Sequence, residues 1–160
     1  MMKCKEISTD KEKKWRQIKT FCAYQERFHQ EVREKLYSLG LYKYEVEQYI
    51  SRLIEDNYLN EQRFAEQFAG GKFRTKQWGK RKIVYTLRQK KLSEYCIKKA
   101  LEQIGEEDYL NSAKKSIQKK WDSLPKKMLI QLRKQKVVQY AFQKGYEAEL
   151  IQKIVDILCK

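Results

Sequence analysis

The chain has 160 residues and a formal net charge of +15, with 41% hydrophobic residues, one proline and six glycines. That apolar fraction suffices for a core and weighs against wholesale disorder, while the scarcity of breakers leaves long stretches free to be helical. No run of about 18 apolar residues exists, so no helix is expected to span a bilayer.

In chain order, the first predicted helical segment is KKWRQIKTFCAYQERF, whose boundary with the next helix is blurred. Val32, Leu36 and Leu39 then make an apolar stripe at helical spacing, and Gly40 suits the left-handed residue that ends such a helix. Val46, Ile50 and Leu53, at i, i+4 and i+7, mark the face of the following helix. Asn60 can cap NEQRFAEQFA, in which Phe64 and Phe68 lie one turn apart and Ala65 allows close packing. Gly70-Gly71 inside this segment costs roughly 1–2 kcal/mol relative to alanine, so the helix ends early, or a hinge or close packing is tolerated.

On the helix predicted from Trp78 to Lys90, Ile83, Val84 and Leu87 define the buried side. Lys91 occupies the position held elsewhere by a helix-ending glycine, a less comfortable choice. Ile97, Leu101 and Ile104 repeat the i, i+4, i+7 triplet. EEDYLNSAKKSIQKKWDSL places its acids early, where the helix dipole favours them. Pro125 suits the first turn of the helix after that, which carries Val137 and ends near Gly145. Ile151, Val155 and Leu158 form the last stripe.

These stripes are copies of one another. At an offset of 51, Leu36 meets Leu87, Val46 meets Ile97, and Tyr58-Leu59-Asn60 meets Tyr109-Leu110-Asn111; at 54, Ile97 meets Ile151 and Leu101 meets Val155. The fold class predicted is therefore all-α: three tandem three-helix repeats in an elongated, curved array. The predicted repeats are 1–57 with an N-terminal extension, 58–105, and 106–160.

The positive charge is uneven, at +2, +8 and +5 on those three segments. Lys72–Lys91 holds nine basic residues and no acid, and Lys114–Lys136 holds nine with only Asp122 opposing. A charge this large repels itself and points to an anionic partner, nucleic acid first, through release of condensed counterions. Arg81, Tyr85 and Arg88 point away from the buried side of their helix, so the tyrosine can stack on a base or pack on a partner. With Arg74 and Lys80, and with Lys126, Lys127, Arg133, Lys134 and Lys136 in the third repeat, they are the candidate contact residues. Trp78 and Trp121 read as partial core.

Catalytic and metal chemistry find no support. The cysteines at 4, 22, 96 and 159 form no C-x-x-C pair, His29 is the only histidine, and no phosphate-cradling Gly-rich loop or nucleophile elbow occurs. Glu31 and Glu34 belong to a mixed-charge face with Arg33 and Lys35. A non-enzyme without cofactor or metal is expected, with reduced thiols. The N-terminal MMKCKEISTDKEKKW lacks a signal-peptide core, which suggests the cytosol.

DNYLNEQRFAEQFA (56–69), the basic segment after it, WGKRKIVYTLRQKKL (78–92) and the closing FQKGYEAELIQKIVDIL (142–158) resemble the RecX family of recombinase regulators. Tyr58-Leu59-Asn60 with Arg63-Phe64-Ala65 is the most specific part, and Gly79 and Leu87 fall where the family pattern has them. Lys90-Lys91 departs from a common Lys-Gly, and Gly70-Gly71 replaces larger side chains. The resemblance implies a bacterial cytoplasmic protein of tandem three-helix repeats, expected as a monomer. It implies binding to the RecA recombinase filament on DNA, along its groove, restraining filament growth, strand exchange and co-protease activity. The alternative reading is a direct DNA-binding helical protein or repressor acting without RecA.

Overall fold

The computed structural model describes residues 2–160, with side chains from Thr9 onward; the Cys4 thiol lies outside the described residues. Every regular element among the described residues is a helix: α1 (Met2–Tyr24), α2 (His29–Ser38), α3 (Lys43–Glu55), α4 (Glu61–Lys76), α5 (Lys80–Gln89), α6 (Glu94–Glu102), α7 (Glu106–Ser123), α8 (Ile130–Lys144) and α9 (Ala148–Leu158). They form two compact units. One runs to Phe64 and takes in Lys90–Leu92; the other comprises Ala65–Gln89 and Ser93–Lys160.

In the first unit the predicted stripes meet. Val32 and Leu36 of α2 and Val46, Ile50 and Leu53 of α3 pack with Ile18 and Cys22 of α1, and Leu41 and Leu59 close the ends. Burying such side chains contributes about 1.5–3 kcal/mol each and outweighs the modest intrinsic stability of short helices. Burial also pushes the Cys22 thiol up to about 11. The blurred boundary after α1 resolves at Tyr24, and α2 starts at His29 after a four-residue connection.

The Tyr58–Ala65 motif has a structural role. Asn57 is left-handed (φ 61°), and the Arg63 guanidinium holds that turn by donating to Asn57 Oδ1 at 2.8 Å, the Asn57 carbonyl at 3.0 Å and Glu26 Oε1 at 2.8 Å. Asn60 Oδ1 accepts from the Arg63 N–H at 2.9 Å, which caps α4 as its sequence predicts.

The second unit buries Ile83 and Leu87 of α5, Ile97 and Ala100 of α6, Ala113, Ile117 and Trp121 of α7, Val137 and Ala141 of α8, and Ile151 and Val155 of α9. Ser93 caps α6, accepting from the Cys96 N–H at 3.3 Å. Trp121 is buried, and Trp78 is half-buried with its ring edge-on to Phe68 at 6.1 Å, as core tryptophans should be.

Two boundaries differ from the sequence reading. The α5 helix starts at Lys80, after the left-handed Gln77 (φ 51°), and stops at Gln89, before the left-handed Lys91 (φ 60°). Pro125 does not open α8. It pushes Leu124 into extended backbone and begins a turn closed by the Met128 N–H on its carbonyl at 3.0 Å; α8 starts only at Ile130.

The α4 helix continues through both Gly70 and Gly71. A Cβ on Gly71 would meet nothing within 4 Å, and one on Gly70 would meet the Arg74 guanidinium at 2.8 Å. Neither early termination nor close backbone packing accounts for the pair. Gly70 leaves room for Arg74 to fold back along its own helix.

Candidate functional site

The basic surface of the second unit rests on a backbone-to-backbone joint. Gly79, at the entry to α5, packs on Gly145, at the end of α8, so closely that a Cβ on Gly79 would come within 2.2 Å of the Gly145 carbonyl. The Gly79 N–H donates to the Lys144 carbonyl at 2.7 Å, and the Arg81 N–H to the Gly145 carbonyl at 3.0 Å. Gly145 has φ 92°, so it both ends α8 and presents a face without a side chain.

Two buried tyrosines complete the joint. Tyr109 of α7 accepts from the Lys80 N–H at 3.0 Å and donates to Glu147 Oε2 at 2.6 Å. Tyr146 donates to the Gln77 carbonyl at 2.7 Å, which holds the left-handed residue before α5. Burial raises both phenols above their ordinary value, and for Tyr109 the bond to Glu147 adds to the effect. They remain neutral donors at physiological pH.

This joint fixes the direction of α5. Arg81, Tyr85 and Arg88 are all exposed on it, Tyr85 at 65%. The Arg81 guanidinium lies over the Phe142 ring at 5.7 Å. Arg88 forks onto Glu94, with Nε–Oε1 at 2.7 Å and a second bond of 3.0 Å to Oε2. The pair raises the Arg88 pKa and lowers that of Glu94. Fully solvated, it is an exchangeable contact rather than a source of stability.

The remaining candidates divide by environment. Lys126 and Lys127 are exposed in the turn after Pro125, and Lys136 is exposed on α8, with Lys134 half-buried. Lys80 is committed to the joint: its ammonium pairs with Glu106 at 3.0 Å and lies over the Tyr109 ring at 4.6 Å. Arg133 stacks on Trp121 at 4.1 Å and donates to the Trp121 carbonyl at 3.0 Å. Arg74 is exposed at the end of α4, on a groove that sequence reasoning missed.

That groove, of about 810 Å³, lies between the end of α4, one face of α7 and α8. Its cations are Arg74, Lys115, Lys119, Lys120 and Lys144, and no carboxylate lines it. The α7 stripe of Ser112, Lys115, Lys119 and Ser123 was readable at helical spacing, but the flanks from α4 and α8 come from elsewhere in the chain. No group of three or more histidines, cysteines or carboxylates able to hold a metal ion occurs among the described residues. None of the helices there is long and apolar enough to cross a membrane.

Fold and surface together define an all-helical repeat protein with basic outward faces. Residues 60–101 match the second three-helix domain of RecX and residues 106–155 the third, together more than half of the chain. The Regulatory protein RecX of Clostridium perfringens (strain 13 / Type A) is 32% identical over 126 residues, covering 78% of this chain and 58% of that one. That of Listeria monocytogenes serotype 4a (strain HCC23) is 29% identical over 133 residues, covering 81% and 48%. The chain thus spans about half the length of the curated relatives it matches. The crystal structure of RecX from Lactobacillus salivarius superposes with a TM-score of 0.79 at 21% identity, covering 94% of this chain and 97% of that one. Another crystal structure, of regulatory protein RecX, gives 0.84 at 23%, covering 97% and 77%. The chain belongs to the RecX family.

Proposed function

We propose that this chain binds the RecA recombinase and its DNA filament in the bacterial cytoplasm. There it restrains strand exchange, ATP hydrolysis and co-protease activity without catalysing a reaction. The reading divides the chain into three repeats, 1–57, 58–105 and 106–160, and makes it a monomer. One observation carries it: the repeats 58–105 and 106–160, within which the RecX-matching segments 60–101 and 106–155 lie, hold +8 and +5 of the total +15. A filament presents DNA phosphates and acidic protein side chains, and both attract such a surface.

Mechanistically, the α5 stripe is the element best suited to a protein partner. Arg81 and Arg88 flank an exposed aromatic ring, and the solvated Arg88–Glu94 fork can exchange for a carboxylate on the recombinase at little cost. Lys126, Lys127 and Lys136 extend the positive face, whereas Lys80 and Arg133 support it from within.

The double variant Arg81→Glu/Arg88→Glu tests this assignment. It is expected to lose inhibition of RecA-dependent ATP hydrolysis while keeping the helical circular dichroism of the parent. Full inhibition by a folded double variant would remove α5 from the contact. Tight, sequence-selective DNA binding without recombinase would favour a repressor instead.

A further inference from the structure

The α4–α7–α8 groove gathers more cations than the other grooves among the described residues. Its five cations face one cleft with no carboxylate among them, and Asn111, Ser112, Ser123 and Gln77 add neutral donors. On α7, Lys115 and Lys119 stand one turn apart, about 6 Å along the axis, and neither has an ion-pair partner among the described residues. The floor is the Tyr140 ring, with the Lys120 ammonium over it at 5.4 Å and that of Lys144 at 5.6 Å. Ser116, itself buried, meets the Tyr140 hydroxyl at 3.3 Å, and Lys144 is held in place by donating to the Lys76 carbonyl at 2.8 Å. Like charges gathered in one cleft repel each other, so the arrangement costs stability until an anion enters.

The chemistry of the cations narrows the ligand. Outside the groove the two-pronged contacts to carboxylates are arginine forks, Arg33 on Glu47 and Arg88 on Glu94, while Lys14, Lys80 and Lys99 each make single-point pairs. The groove instead has four lysines and one arginine. Ammonium groups act as point charges without a fixed fork, and a row of them suits evenly spaced phosphates on a strand that can shift its register. Tyr140 and Phe73 offer aromatic surface beside that row, as sequence-tolerant single-strand sites do.

We infer that the α4–α7–α8 groove binds the phosphodiester backbone of a single nucleic-acid strand, as a site separate from the outward stripe of α5. None of the lining residues belongs to α5, so the two surfaces can be disabled one at a time. The inference borrows its biological setting from the function proposed above, but binding measured without recombinase tests the groove alone.

The experiment is fluorescence anisotropy of a labelled oligothymidylate with the full chain over a series of salt concentrations. It compares Lys115→Gln/Lys119→Gln with Lys153→Gln/Lys160→Gln, which removes the same charge outside the groove. The groove pair is expected to weaken binding at least tenfold, and to reduce the steepness of log K against log salt by about 1.4, two phosphate contacts' worth for a single strand. The control pair is expected to weaken binding less than threefold. Equal losses in both variants would mean diffuse attraction and overturn the site, as would unchanged binding by the groove pair. Loss of polyglutamate binding with oligothymidylate binding intact would assign the groove to an acidic protein segment and also overturn it. Circular dichroism confirms the fold of both variants. Recombinase inhibition is scored separately: its persistence in a groove variant that no longer binds DNA supports two surfaces, and its absence in the parent chain counts against the recombinase reading alone.

Discussion

At the scale of single residues, backbone conformation shows both what this chain encodes openly and what it conceals. Gly40 and Gly145 are left-handed where the repeat pattern calls for it, at φ 82° and 92°. The equivalent position in between is Lys91, at φ 60°. A side chain there costs about 1–2 kcal/mol, of which glycine's extra freedom in the unfolded chain offsets part. Lys91→Gly is therefore expected to stabilise the protein by about 1 kcal/mol, read as a higher urea midpoint at unchanged slope. Asn57 and Gln77 are also left-handed, yet nothing local announced them. Their conformations are held by Arg63 and Tyr146, and only the folded structure brings those side chains into reach.

His29 makes a second prediction at this scale. Burial lowers its pKa below the ordinary imidazole value of 6.5, and Arg33 adds to the lowering while Glu61 and Glu47 oppose it. As pH falls below 6.5, the unfolded chain takes up the proton before the folded one does, so stability declines until the folded-state pKa is passed. Thermal melts are expected to show a lower Tm at pH 5.5 than at pH 7.5, and His29→Gln should flatten that slope. The carboxylates contribute in a separate, more acidic window: Glu47, lowered by its bond to Arg33, loses its contribution only as pH drops through the carboxylate range.

At the scale of elements, period and capping chemistry were legible and long-range backbone contact was not. The buried faces of α2, α3, α5, α6 and α9 follow the apolar stripes at helical spacing, because a helix buries one side whatever its neighbours are. The start of α8 was misplaced because a proline can open either a helix or a turn, and the chain around Pro125 takes the turn. The joint of Gly79 on Gly145 joins residues 66 positions apart, and a glycine chosen for close approach looks like one chosen for flexibility. Gly79→Ala separates the two uses. Its methyl group would collide with the Gly145 backbone at 2.2 Å, with no flexible side chain to yield. A loss of about 3 kcal/mol is expected on chemical denaturation, and a neutral outcome would mean that the joint is slack.

For the whole molecule, the sign and position of the charge were readable from sequence, and its division among surfaces was not. Of the predicted contacts, Arg81, Tyr85, Arg88, Lys126, Lys127 and Lys136 are exposed, while Lys80 and Arg133 face inward to support tyrosine and tryptophan rings. Lys115, Lys119, Lys120 and Lys144 escaped notice singly, since a lysine on a helix is ordinarily just solvated. Only the convergence of α4, α7 and α8 makes them a cleft. The division of labour drawn from these positions assigns α5 to a protein partner and the groove to a nucleic-acid strand.

The measurement that bears most directly on the proposed function is DNA-stimulated ATP hydrolysis by RecA, with this chain added from substoichiometric to equimolar amounts at several salt concentrations. The account predicts a progressive fall in hydrolysis that the Arg81→Glu/Arg88→Glu variant fails to produce. Hydrolysis unchanged at equimolar protein across the salt series would contradict it.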